Sequence, residues 1–332
     1  MSASVMLGSL YPVLADEFGD PVAFINGITI GFFGGVVIVI YELHLFYITK
    51  SKFSFLTQLF SKAILYTVTL GFIIIGVISF TRGIETGVGW VSYMVSDSFI
   101  MFLFEQDFLV IMIYTMLLLT IVVLTRQISK KMGPGILFNF ITGKYYLPKF
   151  EERVFLYLDL VNSTSIAEEL GSLQYHHFLK EYIADLTTCI LNYRGTIYRY
   201  VGDQITISWR VRDNETDSKP IECFYCAKKN LEERAQKYFD QFNIRPKFRG
   251  ALDTGTVLTG EIGIVKSQII FYGDVLYRNT LIEEKCKADN QELLISEYFI
   301  NKLNFESPSL KLHGNLKLKA GDNIDLYRWI EG

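Results

Sequence analysis

Cysteine is scarce in this chain. Its 332 residues hold only Cys189, Cys223, Cys226 and Cys286, which excludes a small scaffold stapled by disulfides, and no disulfide is expected. Cys223-x-x-Cys226 has no second pair at zinc-ligand spacing and falls in a helical pattern, so it reads as packing rather than metal or redox chemistry. A positive net charge is also missing: 32 Lys and Arg against 35 Asp and Glu leave −3. With no basic stripe among the aromatics of the C-terminal half, nucleic acid is not expected as a partner. No basic segment precedes an apolar one in the first 20 residues, which carry Asp16, Glu17 and Asp20, so no cleavable leader is expected. Neither an internal repeat nor a low-complexity tract is visible.

Apolar residues, by contrast, make up 50% of the chain and crowd into its first 130 positions. Ala63 to Phe80 and Phe108 to Thr125 hold no charge, and Gly27 to Tyr41 is a third such run. Each approaches the ~20 residues that a helix needs to cross a bilayer. A multi-pass membrane domain is therefore expected over 1–132, with spans near 23–47, 63–81 and 108–125; an alternative reading makes 88–104 a fourth span. Lys50, Lys52 and Lys62 on one side of the second run, and Arg126, Lys130 and Lys131 after the last, place both segments in the cytoplasm by the positive-inside rule. The N-terminus and the Arg-poor, acidic stretch 81–107 then lie outside, and the expected location is the cell inner (plasma) membrane. Glu42 and His44 fall at headgroup level, where water reaches them. Gly27, Gly31, Gly34 and Gly35 permit close helix packing. With no recognisable outer sensor domain, the spans are expected to anchor and to dimerise.

Gly133-Pro134-Gly135 ends the last membrane helix, because this combination breaks the helical ladder. A juxtamembrane connector over 133–150 leads to a soluble domain over 151–332. There, Arg153 to Asp159 reads as a strand, and Ser165-x-x-Glu168 as a capping box opening a helix to about Tyr193. Thr196 to Tyr200 and Gln204 to Trp209 form a hairpin with Gly202-Asp203 at its tip. A polar loop over 210–219 is followed by a helix from Ile221 to Phe242. Lys247 to Asp253 and Val257 to Ile262 read as a second hairpin across Thr254-Gly255. Strand Gln268 to Tyr272, helix Asp274 to Lys287, strand Glu292 to Ser296 and β signals from Leu310 to Trp329 complete an α+β sandwich with helices packed on one sheet.

Two aspartates carry the chemistry. Asp159 ends the apolar strand Phe155-Leu-Tyr-Leu-Asp159, and Asp203 sits at the first hairpin tip. Taken singly, each has a plain reading as a cap or a turn residue. Together, two carboxylates at converging strand ends can hold two Mg²⁺ ions against phosphate oxygens. Asn162, Ser163 and Thr164 follow at a helix start, where backbone amides point at an anion.

With these elements in order, the soluble half resembles the catalytic domain of the class III nucleotidyl cyclases, specifically the membrane-anchored adenylate cyclase homologues of bacteria. The resemblance rests on Phe155 to Thr164, Tyr200 to Asp203, Gly250-Ala-Leu-Asp-Thr-Gly-Thr-Val-Leu-Thr-Gly-Glu-Ile-Gly263 and Gly273-Asp-Val-Leu276. Gly143-Lys-Tyr-Tyr-Leu-Pro148 adds to it, for a coverage of about 133–300. It implies a ferredoxin-like core with helices packed on an antiparallel sheet, and nucleotide sites between protomers of a head-to-tail dimer. Asp159, Asp203 and the Leu160 backbone carbonyl would hold two Mg²⁺ (or Mn²⁺), and ATP, or alternatively GTP, would be cyclised. The resemblance also implies an Asn and, four residues on, an Arg from the partner protomer. The sequence departs here: these positions are Tyr277 and Leu281, with Arg278 and Asn279 read as solvent-facing neighbours. At the base-reading positions stand Arg199 and Ile270, which give no clear preference between ATP and GTP. A homodimer is thus expected to be slow or dead. The alternatives are the metal-binding half of a heterodimeric cyclase, or a non-catalytic nucleotide-binding regulator.

Overall fold

A computed structural model describes residues 21–42, 54–104, 106–133, 135–211, 217–303, 309–318 and 323–330. The chain divides into two compact units, Met1–Met132 and Gly133–Gly332.

In the first unit, helices α1 (Pro21–Ile40), α2 (Phe55–Glu85) and α5 (Gln106–Met132) are joined by the short α3 (Trp90–Met94) and α4 (Asp97–Phe104). Phe55–Glu85 and Phe108–Met132 are long and apolar enough to cross a membrane. The residues read alternatively as a fourth span form the 5-residue α3 and the 8-residue α4, and a helix of 8 residues rises only ~12 Å. Ile30, Leu59, Tyr66, Leu70, Ile74, Ile111 and Leu119 form the inner cluster, while Phe32, Phe72, Ile113 and Leu117 point outward. Helices apolar on both the inner and outer faces occur in the core of a large protein or in a membrane. Of the four glycines in α1, Gly34 sits directly against Leu70 of α2. Glu42 does not simply face water: Lys62 (3.0 Å), Tyr66 (2.9 Å) and Lys130 (3.2 Å) all donate to its carboxylate. It ties the ends of all three long helices. His44 lies outside the described residues.

The second unit opens with α6 (Ile136–Ile141). Helix α5 ends at Met132 and Gly133 takes φ +101°, a conformation natural only to glycine; Pro134 lies outside the described residues. The connector stretch packs into this unit, since Tyr145 is buried and its hydroxyl donates to Glu151 at 3.0 Å.

The strands β1 (Lys149–Leu160), β2 (Thr196–Val201), β3 (Gln204–Arg210), β4 (Phe248–Ile262), β5 (Gln268–Tyr272), β6 (Leu293–Ser296), β7 (Leu310–Lys317) and β8 (Asn323–Trp329) form one sheet. Its order is β2-β3-β1-β4-β6-β8-β7, with β5 paired to β4. The sheet is mixed rather than antiparallel throughout, because β4 and β6 run parallel. Helices cover both faces, and the period-2 geometry of β1 shows why. Val154, Leu156, Leu158 and Leu160 enter one core, under α7 (Ser163–Asn192), α8 (Lys219–Glu233) and α9 (Ala235–Phe242). Phe155 and Tyr157 enter another, under α10 (Asp274–Ala288). The short α11 (Glu297–Ile300) follows β6.

Four expectations are corrected. Residues 248–262 form a single 15-residue strand rather than a hairpin across Thr254-Gly255. Gly255 is needed for close approach instead: a Cβ there would lie 3.1 Å from Val275 and 3.2 Å from Arg278 of α10. Helix α7 begins three residues early, capped by Asn162 rather than Ser165, at φ 58° and with no side-chain cap bond; asparagine tolerates this left-handed conformation, and the Ser165 capping box is not used. The helix read as continuous from Ile221 to Phe242 breaks at Arg234 into α8 and α9. Finally, Cys189 and Cys226 are disulfide-bonded, stapling α7 to α8, while Cys223 and Cys286 are free and buried. Residues 212–216 of the loop expected over 210–219 lie outside the described residues.

Candidate functional site

The carboxyl end of β1, the β2–β3 turn and the start of α7 meet in one place. Asp159 belongs to the same alternating face as Phe155 and Tyr157, so it points toward α10. Gly202, at φ +63°, makes the tight turn that delivers Asp203. The two carboxylates are close enough to interact: burial raises the proton affinity of Asp203, and the charge of Asp159 raises it further. Hydrogen bonds from the Asp203 backbone, the Ser163 side chain and the Leu160 backbone oppose that rise. Asn162, Ser163 and Leu160 thus gather at the site, and Thr164 follows in the first turn of α7.

Three residues that sequence reasoning missed complete the cluster. Lys287 Nζ bridges Asp159 Oδ2 at 2.8 Å and Glu283 Oε1 at 2.9 Å, and the Gln204 amide donates to Glu283 Oε2. Glu283 and Lys287 at i, i+4, with Gln204 directly after Asp203, were the signals available. Burial raises the proton affinity of Glu283 as well. Behind the carboxylates, the Tyr182 hydroxyl is fully buried without a hydrogen-bond partner, and burial and then Asp203 and Asp159 disfavour its ionisation.

The donor set fits a divalent cation. Asp203 Oδ2 is buried with no hydrogen-bond partner, and such an oxygen is costly unless a cation or water satisfies it. Among the described residues, no group of three or more His, Cys, Asp or Glu has metal-holding geometry; Asp159 and Asp203 are the pair of carboxylates that interact here.

Of the two positions expected to read the base, Arg199 follows Tyr198, whose hydroxyl accepts from the Phe271 amide at 3.2 Å, and Ile270 precedes Phe271 in β5. Arg199 also bonds to the buried Tyr157 hydroxyl. Tyr277 is exposed and Leu281 half-buried on the outer side of α10. The solvent-facing reading of their neighbours is overturned. Asn279 is fully buried and donates to the Phe155 carbonyl at 3.1 Å. Arg278 bonds to buried Asp253 at 2.9 Å and to the Thr254 carbonyl at 2.9 Å, and lies 4.5 Å above the Tyr298 ring. Both are committed to contacts within the fold.

No family model matches the sequence. Adenylate cyclase 2 of Rhizobium meliloti (strain 1021) is 31% identical over 182 residues, which cover 55% of this chain and 50% of that protein. An adenylate cyclase of Anabaena cylindrica is 27% identical over 186 residues, covering 52% of this chain and 35% of that protein. The chain therefore spans about a third to a half of the length of these relatives. Among solved structures, a bacterial light-regulated adenylyl cyclase superposes with a TM-score of 0.57 at 18% identity, covering 68% of this chain and 67% of that one. The likeness establishes the fold.

Proposed function

We propose that this chain, whose C-terminal unit has the class III nucleotidyl cyclase fold and is related in sequence to adenylate cyclases, is a membrane-anchored cyclase subunit acting on ATP. The reaction is conversion of ATP to 3′,5′-cyclic AMP and diphosphate at a head-to-tail dimer interface, with GTP as the alternative substrate. The observation that carries this reading is the convergence of Asp159 and Asp203, with one Asp203 oxygen buried and unpartnered.

Asp159 and Asp203, with the Leu160 backbone, would hold two Mg²⁺ or Mn²⁺ ions. When bound, such ions neutralise phosphate charge and lower the cost of forming the 3′-alkoxide. The chain's own residues do the rest. Asn162, Ser163 and Thr164 present the α7 N-terminus to the triphosphate. Arg199, held against the Tyr157 hydroxyl, and Ile270 of β5 are the residues that would meet the base. Glu283, gripped by Gln204, keeps α10 in register with the hairpin that carries Asp203.

A second reading, the metal-binding half of a heterodimeric cyclase, is favoured by Tyr277 and Leu281 together with the commitment of Arg278 and Asn279 elsewhere. Loss of a transition-state arginine costs about 10³ to 10⁵ in rate in phosphoryl transfer, so a homodimer would turn over slowly. The test is cyclic nucleotide production by the full-length chain in detergent, given ATP or GTP with Mg²⁺ or Mn²⁺ and followed by chromatography. Cyclic AMP formed from ATP and lost in Asp159→Asn supports the cyclase. No product, with Mg-nucleotide still bound in a calorimetric titration, selects the half-site reading or a non-catalytic regulator. Nucleotide affinity unchanged by Asp159→Asn removes the metal-site assignment.

A further inference from the structure

The geometry points to Lys287 as a resident counter-ion of the metal site, an ammonium that occupies Asp159 until a divalent cation displaces it; this rests on the metal-site reading above. Lys287 Nζ lies 2.8 Å from Asp159 Oδ2, on a carboxylate that would have to turn to the metal. Its second partner is Glu283 Oε1 at 2.9 Å, one helical turn back on α10. Glu283 is in turn held by Gln204, so the lysine's second anchor is locked to the hairpin carrying the other ligand.

Three features make the lysine a displaceable counter-ion rather than a buried strut. Its side chain is 45% exposed, against 14% for Asp159 and 8% for Glu283, so the ammonium has solvent to move into while the carboxylates stay. Glu283 retains it after it leaves Asp159, because the i, i+4 pair is built within one helix. Charge sets the direction: Asp159, Asp203 and Glu283 sum to −3, Lys287 brings this to −2, and one divalent cation brings it to zero. An ammonium in contact with the ligand carboxylate opposes metal entry both by occupying Asp159 and by repelling the incoming ion. The metal-free protein should therefore hold its cation weakly, and the anionic nucleotide should favour entry.

The experiment is Mn²⁺ binding to the full-length protein in detergent, without nucleotide, read from the loss of the free Mn²⁺ signal in electron paramagnetic resonance. Lys287→Met should tighten binding by about tenfold, the order expected when a contacting like charge is removed from a partly exposed site. Lys287→Arg, which keeps the charge, should stay within about twofold of wild type. Unchanged or weaker binding in Lys287→Met, in a protein whose melting temperature is preserved, overturns the proposal, as does equal tightening in Lys287→Arg. Asp159→Asn separates the two readings. Wild-type binding that is lost in Asp159→Asn but unmoved by Lys287→Met defeats only the counter-ion. No Mn²⁺ binding in wild type or Lys287→Met, with or without ATP, defeats the metal site and the counter-ion together.

Discussion

The two faces of β1 are made by one strand and do opposite work. Val154, Leu156, Leu158 and Leu160 face α7 and α8 in a core built almost entirely of apolar side chains. Phe155, Tyr157 and Asp159 face α10, where packing is interrupted by directed polar contacts: Asn279 to the Phe155 carbonyl, Tyr157 to the Leu276 carbonyl at 3.2 Å, and Lys287 to Asp159. The first face supplies non-directional burial energy; the second supplies position. A strand with period 2 lets a cyclase-type domain separate scaffold from chemistry within a dozen residues.

Breaking the apolar face should have the largest effect on stability. Leu156 is fully buried, and Leu156→Ala should lower the unfolding free energy of the C-terminal unit by about 4 kcal/mol, measured by chemical denaturation; a loss below about 1 kcal/mol would mean that this face is not the scaffold. Next comes the polar face. Arg278→Met leaves Asp253 fully buried beside Ser296 without its cation, and should cost about 3 kcal/mol while leaving the metal ligands in place.

A smaller, pH-dependent effect tests the rim where the faces begin. Burial alone would raise the proton affinity of Glu151, but the charge and hydrogen bonds of Arg153, the Tyr145 hydroxyl and the charge of Arg210 hold its pKa below the ordinary value. A carboxylate depressed in the folded state stabilises it above its unfolded pKa, and that contribution is lost as pH falls through the folded value. Between about pH 5 and about pH 3, the melting temperature of wild type should therefore fall more steeply than that of Glu151→Gln; parallel slopes would show that the cluster contributes nothing. The smallest expected change is none at all. Burial pushes the Cys223 and Cys286 thiols up to about 12, so neither should react with iodoacetamide in the native protein at neutral pH, and rapid labelling of either would contradict the packing of the face it occupies.

On the outer side of α10, the double change Tyr277→Asn with Leu281→Arg should raise cyclase turnover, by up to the 10³ to 10⁵ associated with a transition-state arginine. No gain in a protein that still dimerises would move the missing residues to another register.

The sequence by itself determined the elements whose signal is local. Uncharged runs marked the helices of the first unit, alternation marked β1, and Gly202-Asp203 marked a turn, because each follows from neighbours along the chain. It also carried the aspartate pair and the absence of Asn and Arg at 277 and 281. Only the tertiary structure decided what depends on elements distant in sequence. Gly255 reads as a turn until α10 is seen pressing on it, and Cys189 reads as a free thiol until α8 brings Cys226 alongside. Arg278 and Asn279 read as solvent-facing until β4 and β1 supply Asp253 and the Phe155 carbonyl. Lys287 belongs to the same class: at i, i+4 from Glu283 it is an ordinary surface pair, and it becomes part of the site because α10 crosses β1 at Asp159. A buried polar group takes its meaning from whatever satisfies it, and here each partner comes from another element of the fold.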